Sequence, residues 1–158
     1  MSEQASDNKT PSFDWVLWLK WILASTMGWA VGWALAGEIT IGAVIGIMQW
    51  VVLRPLVPQA GWWALASAVG WAVGQMLVVT MFPTKVGVIA GAFLGAILGL
   101  GQWIALRRWF HQAGWWIIMS TLGWALGLAG MLGPSMVGAV VGATTGFALE
   151  LLMEHPRS

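Results

Sequence analysis

The amino-acid sequence predicts an all-α integral membrane protein whose six transmembrane helices form three tandem helical-hairpin repeats in a pseudo-threefold bundle. The first reason is composition: the 158 residues are 59% hydrophobic and 8% charged, too little charge to cover a soluble domain. The second is a succession of six apolar segments separated by turns. The third is an internal repeat, QWVVLRPLVPQAGWW at residues 49–63 and QWIALRRWFHQAGWW at residues 102–116. A basic turn between long apolar segments is typical of a helical hairpin on the positively charged side of a bilayer.

The apolar segments define the expected helices. In chain order they cover residues 15–36, 39–53, 62–82, 86–106, 115–132 and 137–153. At a rise of about 1.5 Å per residue, most of them reach across a hydrocarbon core of about 30 Å. The second and sixth are short, and such segments are accommodated by thinning of the bilayer or by packing against neighbouring helices. Strands are disfavoured because the segments are long and show no alternation of polar and apolar residues.

The chain divides into a short tail and one membrane domain. Residues 1–14 are polar and of mixed charge. They lack the basic region and cleavage site of a signal peptide, and we expect a disordered tail. Residues 15–158 form a single transmembrane domain, with hairpin repeats at about 15–54, 62–107 and 115–153.

The basic residues predict the orientation. We call the side of the bilayer that holds the N terminus side A, and the opposite side side B. Side A receives six basic residues, which are Lys9, Lys20, Arg54, Arg107, Arg108 and Arg157. Side B receives only Lys85. The positive-inside rule therefore predicts a multi-pass protein of the cell inner membrane or a thylakoid membrane, with both termini cytoplasmic.

Tryptophan is abundant, with 14 residues, and most of it lies near side A. Ten tryptophans predict an interfacial belt there: Trp15, Trp18, Trp21, Trp50, Trp62, Trp63, Trp103, Trp109, Trp115 and Trp116. Trp29, Trp71 and Trp124 lie deeper. They are expected to pack beside glycines, and the alternative is stacking against a bound ring or carotenoid.

The repeats align residue by residue. The odd-numbered helices share W-x3-S-x2-G-W-A-x-G, aligned on Gly28, Gly70 and Gly123. The even-numbered helices share two glycines four residues apart, followed in two copies by Gln-Trp-x2-Leu-Arg. The third copy has Thr145 in place of the glutamine and Glu150 in place of the arginine. Parallel repeats are usually related by an axis along the membrane normal, so a closed bundle is favoured over an open row of hairpins.

Glycines at four-residue spacing predict close contacts between helices. The predicted packing positions are Gly28, Gly32, Gly42, Gly46, Gly70, Gly74, Gly87, Gly91, Gly95, Gly99, Gly123, Gly127, Gly138, Gly142 and Gly146. The alternative is a groove for a partner helix, a lipid tail or a flat pigment.

Gln49 and Gln102 are polar groups inside apolar helices. We expect a serine hydroxyl or a tryptophan indole on the next helix to bond each amide. The functional alternative is a ligand to a metal-centred macrocycle, or a polar step in a permeation path. The candidate cofactor-binding residues are therefore Gln49, Gln102, Trp71 and Trp124.

Several functional classes are disfavoured. The chain has no cysteine, and His111 and His155 lie outside the apolar segments, so neither a metal site nor an enzyme is predicted. Charges deep in the membrane are essentially absent and Gln75 is the only other strongly polar residue at depth, which argues against an ion pump. The net charge of +1 gives no reason to expect nucleic acid.

At the level of the repeat, GxxxG-x2-QW-x2-LR followed by QAGWW and GWAxG, the chain resembles a family of uncharacterised small membrane proteins of cyanobacteria and Chloroflexi-type phototrophs. The resemblance covers nearly everything after residue 15 and implies a membrane location and the hairpin architecture. The third repeat departs from the motif at Thr145 and Glu150.

These observations predict a structural or accessory subunit that acts through helix packing. The alternatives are a passive pore or carrier for a small solute, and a pigment- or quinone-binding accessory of a photosynthetic or respiratory complex. Membrane lipid is the expected partner, with a larger membrane complex or a homo-oligomer as further options. No cofactor is predicted, although pigment or lipid is an option. At side A, Glu150 is a candidate to pair with Arg54 or Arg107 if the bundle closes.

Overall fold

The computed structural model describes residues 13–82, 87–130 and 133–156. These residues form six α-helices: α1 Trp15–Ala36, α2 Ile41–Leu53, α3 Gly61–Met81, α4 Val88–Leu106, α5 Gly114–Gly127 and α6 Val137–Met153. Short 3₁₀ turns, Gly37–Ile39 and Pro134–Met136, precede α2 and α6. Within the described ranges there is no β-strand, and the one extended pairing is an isolated bridge between Phe110 and Pro156. The all-helical prediction is confirmed.

The ends of the helices are set by capping groups and glycine backbone angles, which cannot be read from apolar composition alone. The Asp14 carboxylate caps α1 by accepting two backbone N–H groups of its first turn, at 2.9 and 3.0 Å. α4 begins after Gly87, whose φ of 137° is readily adopted only by glycine. α5 ends at Gly127 although the apolar run continues to residue 132. Because the chain turns there through Gly130 at φ 76°, the predicted fifth helix was too long.

The six helices close into a ring. Each helix packs against the helices before and after it in the chain, and α6 packs back against α1. α1, α3 and α5 begin at one end of the ring, which we keep calling side A, and α2, α4 and α6 begin at the other, side B. An open row of hairpins would leave α1 and α6 apart, so the closed arrangement is the one observed.

Three tryptophans meet inside the ring near side A. Trp21, Trp63 and Trp116 are at most 2% exposed, and their ring centroids lie 5.0–5.8 Å apart in all three pairs. We call them the side-A tryptophan layer. Their assignment to an interfacial belt was wrong. Position along the chain sets how deep a side chain lies, whereas the face of the helix decides whether it meets lipid or the core.

Three further tryptophans form a second layer toward side B. Trp29, Trp71 and Trp124 are 7%, 3% and 2% exposed, with centroids 5.2–6.5 Å apart. We call them the side-B tryptophan layer. Edge-on and tilted contacts of this kind add to the free energy gained by burying the rings. The two layers together occupy the middle of the ring.

The outer surface is apolar. Every helix exposes large hydrophobic side chains, for example Leu19, Val51, Leu65, Ile104, Leu122 and Phe147. Among the described residues, three helical stretches are long and apolar enough to cross a membrane: Gly61–Met81, Val88–Leu106 and Pro134–Met153. Ile41–Leu53 is a shorter apolar helix. Large apolar side chains on an outer surface are typical of helices that contact lipid or another protein.

Some predictions fall outside the described residues. These are the tail up to residue 12 and three of the basic residues used for orientation, Lys9, Lys85 and Arg157. Residues 13 and 14, which were also assigned to the tail, are ordered against the ring. The Phe13 ring lies 4.6 Å from that of Trp15 and 6.0 Å from that of Phe147.

Candidate functional site

A layer of buried polar side chains lies between the side-A tryptophan layer and the side-B tryptophan layer. It consists of Ser25, Gln49, Ser67, Gln102, Ser120 and Thr145, all at most 4% exposed. We call it the buried polar layer. Buried polar groups in an apolar setting are costly unless they bond one another, so their partners indicate what the layer does.

The first hydrogen-bonded chain joins α1, α2 and α3. Trp63 Nε1 donates to Gln49 Oε1 at 3.1 Å, and Gln49 Nε2 donates to Ser25 Oγ at 2.9 Å. Ser25 Oγ in turn donates to the Trp21 carbonyl oxygen at 2.9 Å. One glutamine therefore connects its own helix to both neighbours.

The second chain joins α3, α4 and α5 in the same way. Trp116 Nε1 donates to Gln102 Oε1 at 2.8 Å, and Gln102 Nε2 donates to Ser67 Oγ at 2.9 Å. Both glutamines thus have the serine and indole partners expected from the sequence. Their amide oxygens are occupied by indole N–H groups, which leaves a macrocycle ligand less favoured.

The third chain joins α1 and α6 without a glutamine. Trp21 Nε1 donates to Thr145 Oγ1 at 3.0 Å, and Thr145 Oγ1 donates to the Val141 carbonyl oxygen at 2.6 Å. The sequence places Thr145 at the position of Gln49 and Gln102, but it does not reveal that threonine keeps the acceptor role. Every indole of the side-A tryptophan layer therefore has an acceptor on a neighbouring helix.

The first glycine of the repeated pair on each even-numbered helix faces the side-B tryptophan layer. A Cβ built on Gly95 would lie 2.5 Å from Ser120 O and 2.9 Å from Trp124 Cβ. A Cβ on Gly138 would lie 2.7 Å from Trp29 Cβ, and one on Gly42 would overlap Trp71. Trp71 and Trp124, the other candidates for a cofactor site, are thus packed against glycine backbone.

The glycines four residues later face serines. A Cβ built on Gly46, Gly99 or Gly142 would lie 2.7, 3.1 and 2.9 Å from the Cβ of Ser67, Ser120 and Ser25 respectively. Distances below about 3.0 Å are not compatible with a real side chain, and the 3.1 Å at Gly99 is tighter than almost all real contacts. Each glycine therefore permits the close approach of the next helix.

Within the hairpins, further glycines lie against the partner helix. Gly28 and Gly32 face Ile45 and Ile41, Gly70 and Gly74 face Leu98 and Leu94, and Gly123 and Gly127 face Thr144 and Val137. Gly91 meets Trp124, and Gly146 meets Trp18 and Trp21.

Gly87 differs from the other predicted packing glycines, because a Cβ there would meet nothing within 4 Å. Its positive φ, and not packing, accounts for glycine at that position.

The charged groups near side A do not form the predicted network. The guanidinium groups of Arg54 and Arg107 lie over the rings of Trp50 and Trp103, at 5.7 and 5.0 Å. Glu150 is 5% exposed; its Oε2 accepts the Asp14 backbone N–H at 3.1 Å, and its Oε1 has no hydrogen-bond partner among the described residues. The proposed pairing of Glu150 with an arginine was therefore wrong. In the first two hairpins the arginine instead stacks on the tryptophan one helical turn before it.

Two cavities are notable. One, of about 320 Å³, opens toward side B and is lined by Trp29, Trp33, Trp71 and Gln75 together with the loop before α6. The other, of about 460 Å³, is an apolar groove on the outer face between α3 and α4. The sequence gives no direct signal for either, since each is shaped by helices that are distant in the chain or by a missing side chain.

The chemistry available in the buried polar layer is that of amides, hydroxyls and indoles. These groups are neutral and bond one another across helix boundaries, which suits them to fixing helix register.

No protein-family model, curated protein or solved structure matches the chain.

Proposed function

We propose that the chain is a six-span membrane protein built from three tandem hairpin repeats around a pseudo-threefold axis. Both termini lie on the cytoplasmic side of an inner or thylakoid membrane. Its role is structural, as an accessory subunit that acts through helix packing and not through chemistry on a substrate. The resemblance to repeat-containing membrane proteins of phototrophic bacteria agrees with this location.

Support for six spans comes from the distribution of polar groups. The outward faces of all six helices are apolar, while the polar side chains at depth bond one another inside. α2 and α5 have 13 and 14 residues, which corresponds to about 20 Å of helix. Spans of that length require a locally thinned bilayer or adjoining turns below the headgroups.

Support for the threefold repeat comes from contacts that recur at matched positions. The interface between consecutive hairpins, and that between the last and the first, each place one glycine on one deep tryptophan: Gly42 on Trp71, Gly95 on Trp124 and Gly138 on Trp29. A shared sequence pattern alone would permit different packing in each hairpin. Because the same glycine–tryptophan contact occurs at all three interfaces, the three hairpins are proposed to pack equivalently around one axis.

The structural role rests on one observation: two layers of three tryptophans fill the middle of the ring. A pore along the axis would have to pass both layers, so the passive-pore alternative is less favoured. The second candidate is pigment or quinone binding, and the observation that favours it is the aromatic wall of the side-B cavity.

The test begins with gently solubilised native membranes. We expect the 17.0 kDa chain to migrate on a native gel in an assembly with a partner in fixed ratio. The purified chain should show no visible absorption band, and its proteoliposomes should leak small solutes no faster than protein-free ones. A monomer with solute flux would instead support the pore, and a visible or quinone absorption band would support the pigment-binding candidate.

A further inference from the structure

The groove between α3 and α4 differs from the other outward faces of the ring. Its volume is about 460 Å³ and its lining is almost wholly apolar, with Leu65, Ala66, Val69, Gly70 and Gly101 along its length. We call it the α3–α4 groove. Most of its lining belongs to the second hairpin repeat, with Leu53 and the loop before α3 at one end.

The floor of the groove includes a glycine where α3 and α4 approach closely. A Cβ built on Gly101 would lie 3.3 Å from Ala66 O and 4.0 Å from Gly70 Cα, so the floor is bare backbone and small side chains. The matching positions of the first and third repeats carry Met48 and Thr144. Only the second repeat has glycine at this position.

A positively charged side chain, that of Arg108, lies at the side-A end of the same groove. Arg108 lines it together with Trp62 and Trp109. The Arg108 side chain is exposed, and the described residues offer it no ion pair. Its neighbour Arg107 lies over Trp103 instead. The first and third repeats have Pro55 and Leu151 at the position of Arg108, so the glycine and the cation occur together in one repeat only.

The length of the groove limits what can occupy it. From Trp62 to Val73, which both line it, the distance along α3 is about 17 Å at 1.5 Å per residue. This is about half of a hydrocarbon core of roughly 30 Å. A partner helix would need a groove across the whole membrane, whereas an acyl chain of one leaflet needs half.

From the length, the apolar lining and the position of the cation, we infer that the α3–α4 groove binds one acyl chain of an anionic phospholipid, with its phosphate on Arg108. Arginine forms charge-assisted hydrogen bonds with phosphate, and interfacial tryptophans suit the headgroup boundary. The inference rests on the membrane location proposed above.

The experiment measures lipid bound to the purified chain in mild detergent, by native mass spectrometry. The probes are phosphatidylglycerol and phosphatidylcholine with identical acyl chains. The wild-type chain should retain one phosphatidylglycerol about fivefold more tightly than phosphatidylcholine, which corresponds to about 1 kcal/mol for one arginine at a membrane surface.

Three variants separate the parts of the site. Gly101→Met introduces the residue of the first repeat and should abolish retention of both lipids. Arg108→Gln should remove the preference for phosphatidylglycerol while retaining a bound chain. Arg107→Gln is the matched control and should behave as wild type, because that guanidinium lies over Trp103.

If Gly101→Met does not fold, Ala105→Val provides the same test, since the first repeat carries Val52 there. Unchanged lipid retention in a folded groove variant would overturn the inference and leave only unspecific surface lipid. A wild-type dimer that dissociates in the groove variants would assign the groove to a second copy instead. Flotation of the wild-type chain with membranes tests the membrane location independently of either result.

Discussion

At the scale of single residues, position 145 shows most clearly what the buried polar layer requires of its members. Trp21, Trp63 and Trp116 each need a hydrogen-bond acceptor because their rings are buried. Glutamine supplies it to two of them and Thr145 to the third. Threonine is shorter than glutamine and leaves out the further bond to a serine. This position therefore requires a side chain that accepts a hydrogen bond from the indole, and both glutamine and threonine meet that requirement.

Replacing Thr145 by valine tests this role. Valine has nearly the same shape, but it leaves Trp21 Nε1 buried without an acceptor, which should cost about 1–3 kcal/mol of stability. The measurement is the midpoint of thermal unfolding in detergent, followed by circular dichroism. Thr80→Val is the control, because that exposed hydroxyl bonds only carbonyl groups of its own helix. Equal midpoints for both variants would show that the indole bond contributes little.

The charge at Glu150 should act alone. Glu150→Arg is expected to lower thermal stability because it places a bulky cation at a buried position. Adding Arg54→Glu or Arg107→Glu should not restore it, since each arginine lies over a tryptophan of its own helix. The free energies of the single and double variants should add within about 0.3–0.5 kcal/mol. A double variant clearly more stable than this sum would mean that the charges do meet.

At the scale of helices, packing depends on glycines that admit a neighbour's backbone. The spacing of these glycines was visible in the sequence, but the partner of each was not. Gly28 faces Ile45 within its own hairpin, whereas Gly42 faces Trp71 in the next one. Both belong to the same kind of four-residue pattern. The choice of neighbour follows from the closing of the ring, which involves contacts between residues far apart in the chain.

Alanine at Gly95 should therefore disrupt the contact between α4 and α5. Its Cβ would lie 2.5 Å from Ser120 O, and such overpacking typically costs about 1–3 kcal/mol. Gly114→Ala on α5 is the matched control, because nothing lies within 4 Å of its Cβ. Thermal midpoints in one detergent compare the two. Similar midpoints would show that the helices separate at little cost, and that the close approach is not needed.

The helices were more predictable from the sequence than the faces they present. Apolar runs bounded by turns placed α1 at residues 15–36 and α6 at residues 137–153, as observed. The same runs overestimated α5, because the helix ends at Gly127 and Gly130 has a non-helical φ of 76° in the middle of apolar residues. Trp63 was assigned to the membrane interface although it is 2% exposed in the core. Trp62 beside it is 58% exposed, so two adjacent indoles at one depth have opposite environments.

The buried polar layer was predictable in part for a similar reason. A glutamine amide surrounded by apolar residues must find partners, and serine and tryptophan were the available ones. The α3–α4 groove was not predicted, because its lining combines residues of several segments, among them Gly101, and follows no recognisable motif. The shape of such a groove depends on how the neighbouring helices pack, and the sequence does not give that packing.

At the scale of the whole molecule, the proposed orientation can be tested because the chain has no native cysteine. Ser135→Cys lies on the side-B loop, and His111→Cys lies on the side-A loop between α4 and α5. An impermeant thiol reagent added to intact cells should label Cys at 135 and not at 111, since basic side-A loops remain cytoplasmic. The opposite pattern would reverse the topology.

Closure of the ring depends on the contact between α1 and α6, which are the first and the last of the six helices in the chain. A disulfide can test it directly. The Cβ of Ser25 lies 2.9 Å from a Cβ built on Gly142, and a small separation of the helices would bring this to the roughly 3.5–4.5 Å that a disulfide requires. Gly46 and Ser67 provide a matched pair at 2.7 Å between consecutive helices.

Both double-cysteine variants should therefore cross-link within one chain under mild oxidation in native membranes. Each product should migrate as a compact monomer on a gel without reductant and revert when reductant is added. The Gly46 and Ser67 pair forms in a ring and in an open row alike, because α2 and α3 are adjacent in the chain. The Ser25 and Gly142 pair forms within one chain only in a ring. A row of hairpins would give no product for that pair, or dimers and longer oligomers joined between chains. Cross-linked oligomers beside an intact control would thus reject the closed ring, and with it the filling of its axis by the two tryptophan layers.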